Sequence, residues 1–201
     1  MRIIAGIYKG RRLKVPKNLP VRPTTDRSKE ALFNILQHQI EFSKTRVLDL
    51  FSGTGSISFE FASRGVSQLT AVDENRYCVK FIKTTAASLL IDIRIIQKDC
   101  ISYLEKDKGE YDLIFADPPY DLSLNTYSNI IKLTINRLSV DGQLIVEHFN
   151  KIDLSGFEGF NNSRNYGSIT FSFFIIKKKQ ADKPDSVVSY HLSGCKITFA
   201  L

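Results

Sequence analysis

The chain has 201 residues, 43% of them hydrophobic, and a formal net charge of +7, which suits one domain with a small appendage and excludes wholesale disorder. No apolar run reaches about 18 residues, and the start lacks the apolar stretch of a signal peptide, so a soluble intracellular protein is expected. Cys78, Cys100 and Cys195 form no CxxC pair and His38, His148 and His191 are scattered, so neither a disulfide framework nor a metal site is expected.

The charge is concentrated at the amino terminus. Arg2, Lys9, Arg11, Arg12, Lys14, Lys17, Arg22, Arg27 and Lys29 face only Asp26 and Glu30, so the first thirty residues hold the whole excess of +7 and the rest carries 19 charges of each sign. A basic segment ahead of a neutral domain suits docking on a phosphate backbone, RNA or DNA; a solvated surface hairpin is the plainer alternative. Residues 2–15 alternate in places around Lys9-Gly10, which predicts a β-hairpin. Pro16, Pro20 and Pro23 hold an extended stretch. A helix then starts near Asp26, capped by Thr25 or Asp26, with Ala31, Leu32, Ile35, Leu36 and Ile40 on one face. Residues 1–44 thus form a basic docking unit packed on the larger domain.

From Arg46 strands and helices alternate. Strands are predicted at 46–51, 68–73, 93–97, 111–116 and 142–147, mostly as nearly continuous apolar runs of the kind found in parallel strands covered on both faces. The clearest helix spans about 123–138, and Asp141-Gly142 turns into the next strand. After Glu147 the alternation stops: Phe157–Phe160 and Ser168–Ile176 read as two strands joined by the turn-rich Asn161–Asn165. The predicted fold is α/β, a Rossmann-like methyltransferase sheet over residues 45–179, mostly parallel with an antiparallel edge hairpin. Residues 180–201 read as a tail with no functional account.

In such sheets ligands bind beyond the carboxyl ends of the strands, where Asp49-Leu-Phe-Ser-Gly-Thr-Gly55 closes the first strand. Gly53 and Gly55 permit close backbone approach. The loop is not G-x-G-x-x-G, because Ser58 holds the third glycine position, and no GK[ST] comes after it to cradle phosphates. A nucleoside without a pyrophosphate, such as S-adenosylmethionine (SAM), fits better than NAD or ATP. Asp73 ends the second strand, where it can accept from both ribose hydroxyls. Asp99 stands beside the adenine position or caps a helix. Asp49 organises the loop and the cationic methionine end of SAM. Phe51, Ser52 and Thr54 in the loop, Glu74 and Cys100 after the two acids, and Thr25 complete the expected cofactor contacts.

Asp117-Pro-Pro-Tyr120 follows the fourth strand. An exocyclic amine is a poor nucleophile because its lone pair is delocalised into the ring. A carboxylate at Asp117 and main-chain carbonyls fixed by Pro118 and Pro119 can accept both N–H groups and favour the pyramidal, attacking form. Tyr120 can stack on the base, worth about 1–3 kcal/mol. Direct transfer then needs no covalent intermediate, and no cysteine is placed for one.

Arg2-Ile-Ile-Ala-Gly-Ile-Tyr-Lys-Gly-Arg-Arg-Leu13, then Arg22-Pro-Thr-Thr-Asp-Arg27 leading into Glu30-Ala-Leu-Phe-Asn-Ile-Leu36, resembles the RsmD family of bacterial methyltransferases. The likeness continues through Asp49–Gly55, Asp117–Tyr120, Glu147 and Tyr166-Gly167, over about residues 1–177. It implies transfer from SAM to the N2 amine of a guanine in 16S rRNA, with the target base flipped. Carried onto this chain, it places the guanine amine at Asp117, Pro118 and Tyr120 and the SAM pocket at Asp49, Gly53, Gly55 and Asp73. Arg2, Lys9, Arg11, Arg12, Lys14, Arg22 and Arg27 would contact rRNA in an assembled or assembling small ribosomal subunit. Residues Arg22–Arg27 would fold over cofactor and base, although Arg27 is also placed to pair with a core acid. A cytoplasmic monomer without metal is expected. Lys83–Ala87 departs from the family, which commonly carries an Asn near there. The rivals are DNA adenine-N6 or cytosine-N4 methylation, protein glutamine methylation, and a non-catalytic ribosome-assembly protein.

Overall fold

The apolar runs of the middle of the chain become neighbouring strands because each needs cover on both faces. The structure, a computed structural model, describes residues 1–16, 19 and 25–175. It contains β1 (Arg46–Leu50), β2 (Gln68–Asp73), β3 (Arg94–Gln97), β4 (Tyr111–Ala116), β5 (Leu138–Phe149), β6 (Phe160–Tyr166) and β7 (Ile169–Ile175). They form one sheet in the order β3-β2-β1-β4-β5-β7-β6. The first five strands run parallel, and β7 runs antiparallel to β5 and β6. This is the expected α/β sheet with an antiparallel edge.

Alternation along the strands sends Val47, Leu113, Phe115 and Ile145 to one face and Leu48, Ile114, Ala116 and Val146 to the other. The first face is covered by α1 (Asp26–Leu36), α2 (Ser56–Ser63) and α3 (Arg76–Leu89). The second is covered by α4 (Cys100–Lys106) and α5 (Leu124–Ile135). Phe33 of α1 meets Phe61 of α2 edge-on at 4.7 Å, both fully buried; burying a side chain of this size contributes about 1.5–3 kcal/mol. Among the described residues no helix is long and apolar enough to cross a membrane.

Thr25 is the residue that caps α1, its Oγ1 accepting the Ser28 N–H at 3.1 Å. The inward face of α1 is centred on Leu32, Phe33 and Leu36, with Ala31 and Ile35 at its half-buried margin. The amino-terminal hairpin is looser than the alternation suggests. It has a single antiparallel bridge, Arg2↔Arg12, and its apex spans Gly6 to Gly10, both glycines at positive φ. Gly6 lies so close to α2 that an added Cβ would fall 1.8 Å from the Ser63 carbonyl oxygen.

Several boundaries differ from those the sequence suggests: α5 stops at Ile135, and residues 157–159 precede β6 without being strand. β5 begins at Leu138, before Asp141-Gly142, which forms an irregularity inside the strand: the register to β4 shifts between Tyr111↔Leu138 and Leu113↔Gln143, with Asp141 at φ 61°. Asn161–Asn165 is a strand, the body of β6, and the reversal falls at Gly167 with φ 65°. Its polar residues read as a turn because an edge strand pairs on one side only and leaves its side chains in water. Lys17, Arg22, the Pro20–Pro23 stretch and everything from residue 176 onward, including His191, Cys195 and the tail 180–201, lie outside the described residues.

Candidate active site

The carboxyl ends of β1, β2, β4 and β5 open into one cavity of about 1070 Å³. That is at or above the upper end of the usual ligand-site range of about 300–1,000 Å³, enough for a nucleoside cofactor together with a base. Thr25, Asp49, Phe51, Ser52, Gly53, Thr54, Asp73, Glu74, Asp99 and Cys100 all line it, as do Arg27 and the whole of Asp117–Tyr120.

Gly55 is the exception among the expected cofactor residues. It lies behind the loop, its N–H donating to the Ser52 carbonyl at 2.6 Å, and an added Cβ would come within 2.9 Å of the Phe59 ring. Its positive φ and tight packing shape the loop without forming its wall. Phe51 also takes a left-handed φ of 61°, a strained conformation for a bulky residue.

The loop is tied to β2. Asp73 accepts the Gly53 N–H at 2.7 Å on one oxygen and the Asn75 N–H at 2.8 Å on the other. Burial raises its pKa and these two hydrogen bonds oppose the rise. The loop is thus held by Asp73, a part that the sequence suggests for Asp49. Asp49, 1% exposed, instead accepts the Ser58 hydroxyl of α2 at 2.5 Å. The residue in the place of a third glycine thus anchors the first acid. Burial pushes the Asp49 carboxyl up to about 7 despite that hydrogen bond, and the Asp73 charge adds to the rise.

Asp99 is a helix cap at the cavity edge. It caps α4, accepting the Ser102 N–H at 2.9 Å, and it lines the cavity. Cys78 and Cys100 line the same end, and burial pushes their thiols up to about 11 and about 12, so both stay protonated and serve as apolar wall. The residues present fit SAM: a buried acid for its cationic end, a second acid for its ribose, and a wall of Ile101, Cys78 and Cys100 for its adenine.

At the other end Pro118 is buried and Asp117 and Tyr120 are half-buried. The Tyr120 ring lies nearly parallel to Phe149, 6.1 Å away at 25°, and its hydroxyl donates to Glu147 Oε1 at 3.3 Å. Glu147, 3% exposed and two residues before the end of β5, lines the cavity, and so does the β6–β7 turn, Asn165–Ser168. Sequence reasoning left Glu147 without a role, although an acid closing a buried apolar strand was a usable signal.

Residues 1–175 match the family model described as Conserved hypothetical protein 95. The chain is 33% identical over 148 residues to Ribosomal RNA small subunit methyltransferase D of Escherichia coli, covering 73% of this chain and 71% of that one. The chain belongs to the RsmD family. Among solved structures, a hypothetical protein of Thermus thermophilus superposes with a TM-score of 0.76 at 23% identity, over 88% of this chain and 99% of that one. A 16S rRNA N2 methyltransferase of the same organism, solved with AdoMet and guanosine, gives 0.64 at 17% identity, over 76% and 43%. Both are likenesses of fold.

In this RsmD-family chain the described part of the basic segment divides into four. Lys9, Arg11, Arg12 and Lys14 are exposed on the hairpin, with Arg11 also 5.8 Å above the Tyr8 ring. Arg2 is half-exposed and pairs with Asp26 at 3.1 Å. Arg27 is exposed at the cavity rim, whereas the pairing with a core acid belongs to Lys29, 1% exposed and 3.7 Å from Glu60. Lys29 is therefore removed from the docking charge, and Arg22 lies outside the described residues. His148 is a packing residue, bonded to the Ser172 hydroxyl at 2.8 Å, and His38 is exposed.

Proposed function

We propose that this protein transfers a methyl group from SAM to the N2 amine of a guanine in 16S rRNA. The single observation that carries the reading is that Asp117–Tyr120 and the glycine loop after β1, with Asp49 and Asp73, face one cavity in a chain of the RsmD family. SAM, held by Asp49, the Gly53 loop and Asp73, supplies a methyl group made electrophilic by its sulfonium.

The chain's own residues do the rest. Asp117 and the main-chain carbonyls fixed by Pro118 and Pro119 accept the amine N–H groups, which turns the nitrogen lone pair toward the methyl group. Tyr120 stacks on the flipped base, and flipping costs a few kcal/mol in a duplex and less in a loop. The new N–C bond replaces the sulfur–methyl bond, leaving a neutral thioether, and the amine proton leaves to Asp117 or to water. Lys9, Arg11, Arg12 and Lys14 dock on phosphates, and Arg27 at the rim meets the strand that enters the cavity. The substrate is the rRNA of an assembled or assembling small subunit, and the protein works as a cytoplasmic monomer. Direct transfer calls for no metal.

Tritiated SAM with hypomethylated small subunits tests this, with free rRNA, duplex DNA and a release factor alongside. Label recovered as N2-methylguanosine from rRNA is the expected result. Label in DNA or protein would move the activity to those substrates, and no label in any of them would leave a ribosome-assembly protein.

A further inference from the structure

Glu147 has no task in the methyl transfer itself, yet the sheet delivers it to the reacting end. β4 and β5 pair in parallel up to Ala116↔Val146. One position on, Asp117 follows the last residue of β4, while Glu147 lies at the matching place within β5, where it also pairs with Phe171 of β7; neighbouring strands are usually about 4.8 Å apart. Both line the cavity. Glu147 is 3% exposed and its Oε1 accepts the Tyr120 hydroxyl at 3.3 Å. A carboxylate offers about four acceptor positions and no donor, so it can accept from Tyr120 and from a ligand together.

We propose that Glu147 selects the base, accepting the N1–H of a guanine whose N2 amine is held at Asp117. The proposal rests on the proposed methyl transfer and adds what that reaction needs, a reader of base identity. Guanine presents N1–H and N2–H donors next to each other on one edge, and two adjacent acids match them. Adenine places a bare N1 beside its amine and cytosine a bare N3. Either would set a lone pair against a carboxylate that is itself 3% exposed. The Tyr120–Glu147 contact joins the ring that stacks on the base to the acid that reads its edge, so the base is fixed in and across its plane.

The test compares reconstituted small subunits carrying guanine or 2-aminopurine at the methylated position. The analogue keeps the N2 amine and lacks N1–H. The wild-type protein should prefer guanine by roughly 100-fold or more in kcat/KM, since a site built to bond an N–H rejects a base without it. Glu147→Gln can donate to the bare N1, and should shrink that preference by about tenfold or more, with SAM affinity by calorimetry within a few-fold of wild type. Tyr120→Phe should keep the preference, because the base-reading acid remains.

Equal use of both bases by the wild-type protein would overturn the role, and this comparison needs no variant. So would a proportional loss on both bases in Glu147→Gln, which would make Glu147 a support for Tyr120. SAM binding by wild type without transfer to guanine would overturn the proposed function itself, and the role with it.

Discussion

Lys29 and Glu60 meet inside the protein, Nζ to Oε2 at 3.7 Å, with their side chains 1% and 0% exposed. The lysine comes from α1 and the glutamate from α2. Nζ also donates to the Arg2 carbonyl at 2.6 Å and to the Ser56 hydroxyl at 3.2 Å. Glu60 in turn accepts the N–H groups of Ile4 and Ala5 at 2.8 and 3.0 Å and the Arg64 guanidinium at 3.0 Å. Burial pushes the Lys29 pKa down and the Glu60 charge opposes the fall. One buried acid thus holds the backbone of the basic hairpin, the helix α1 and the methyltransferase domain's own α2.

Removing one member of such a pair leaves the other charge buried and uncompensated, so Glu60→Gln should cost about 3–5 kcal/mol. Urea denaturation measures this, and limited proteolysis should show cleavage within residues 1–16 before the rest of the chain. Lys29→Met should cost less, because Glu60 keeps Arg64 and two backbone N–H partners. A loss below about 1 kcal/mol in Glu60→Gln would place the pair among those of no net consequence.

Asp117→Ala should abolish methyl transfer while SAM affinity stays within a few-fold, since the residue stands at the amine end of the cavity. Tyr120→Ala should lower transfer by roughly fivefold to 150-fold, the value of about 1–3 kcal/mol of base stacking. Tyr120→Phe keeps the ring and should be mild. Single-turnover transfer and titration calorimetry together separate these effects, and parallel loss of SAM binding in Asp117→Ala would make the residue structural.

The Asp49 carboxyl titrates near 7 in the folded protein, against an ordinary value of 3.8. Between those values the folded state binds more protons than the unfolded chain, so this group makes stability fall as pH rises from about 4 to about 7 and adds no slope above. Asp49→Asn should remove that slope in urea melts taken across pH. A cationic ligand end favours the ionised carboxylate, so SAM should bind more tightly as pH rises toward 7, by at most about tenfold per pH unit, and level off above. Calorimetry in two buffers of different ionisation heat should detect proton release on binding near pH 6, and Asp49→Asn should abolish it.

Replacing Arg11 and Arg12 together by Ala should weaken rRNA binding and flatten its log–log salt dependence by about 0.7–0.9 for each phosphate that the variant no longer neutralises. Both side chains are exposed, so folding stability should not change. An unchanged slope would remove these two residues from the docking surface.

What the sequence settled by itself is local. The apolar runs marked the parallel strands because both faces of each are covered, and the pair Thr25 and Asp26 marked the start of α1 because a cap acts within three residues. Asp49–Thr54 and Asp117–Tyr120 reached the cavity as expected because each directly follows or ends a strand, and strand ends share one edge of the sheet. What only the tertiary structure decided depends on partners distant in sequence. Lys29 reads as one more docking cation until Glu60 is packed against it. Asn161–Asn165 reads as a turn until β7 supplies its hydrogen bonds, and Gly55 reads as cofactor wall until Phe59 is seen behind it. Glu147 reads as a bare strand end until the register that pairs Ala116 with Val146 brings it near Asp117. In each case the side chain's environment, rather than its type, decides whether its charge, donor or missing Cβ faces water, core or ligand.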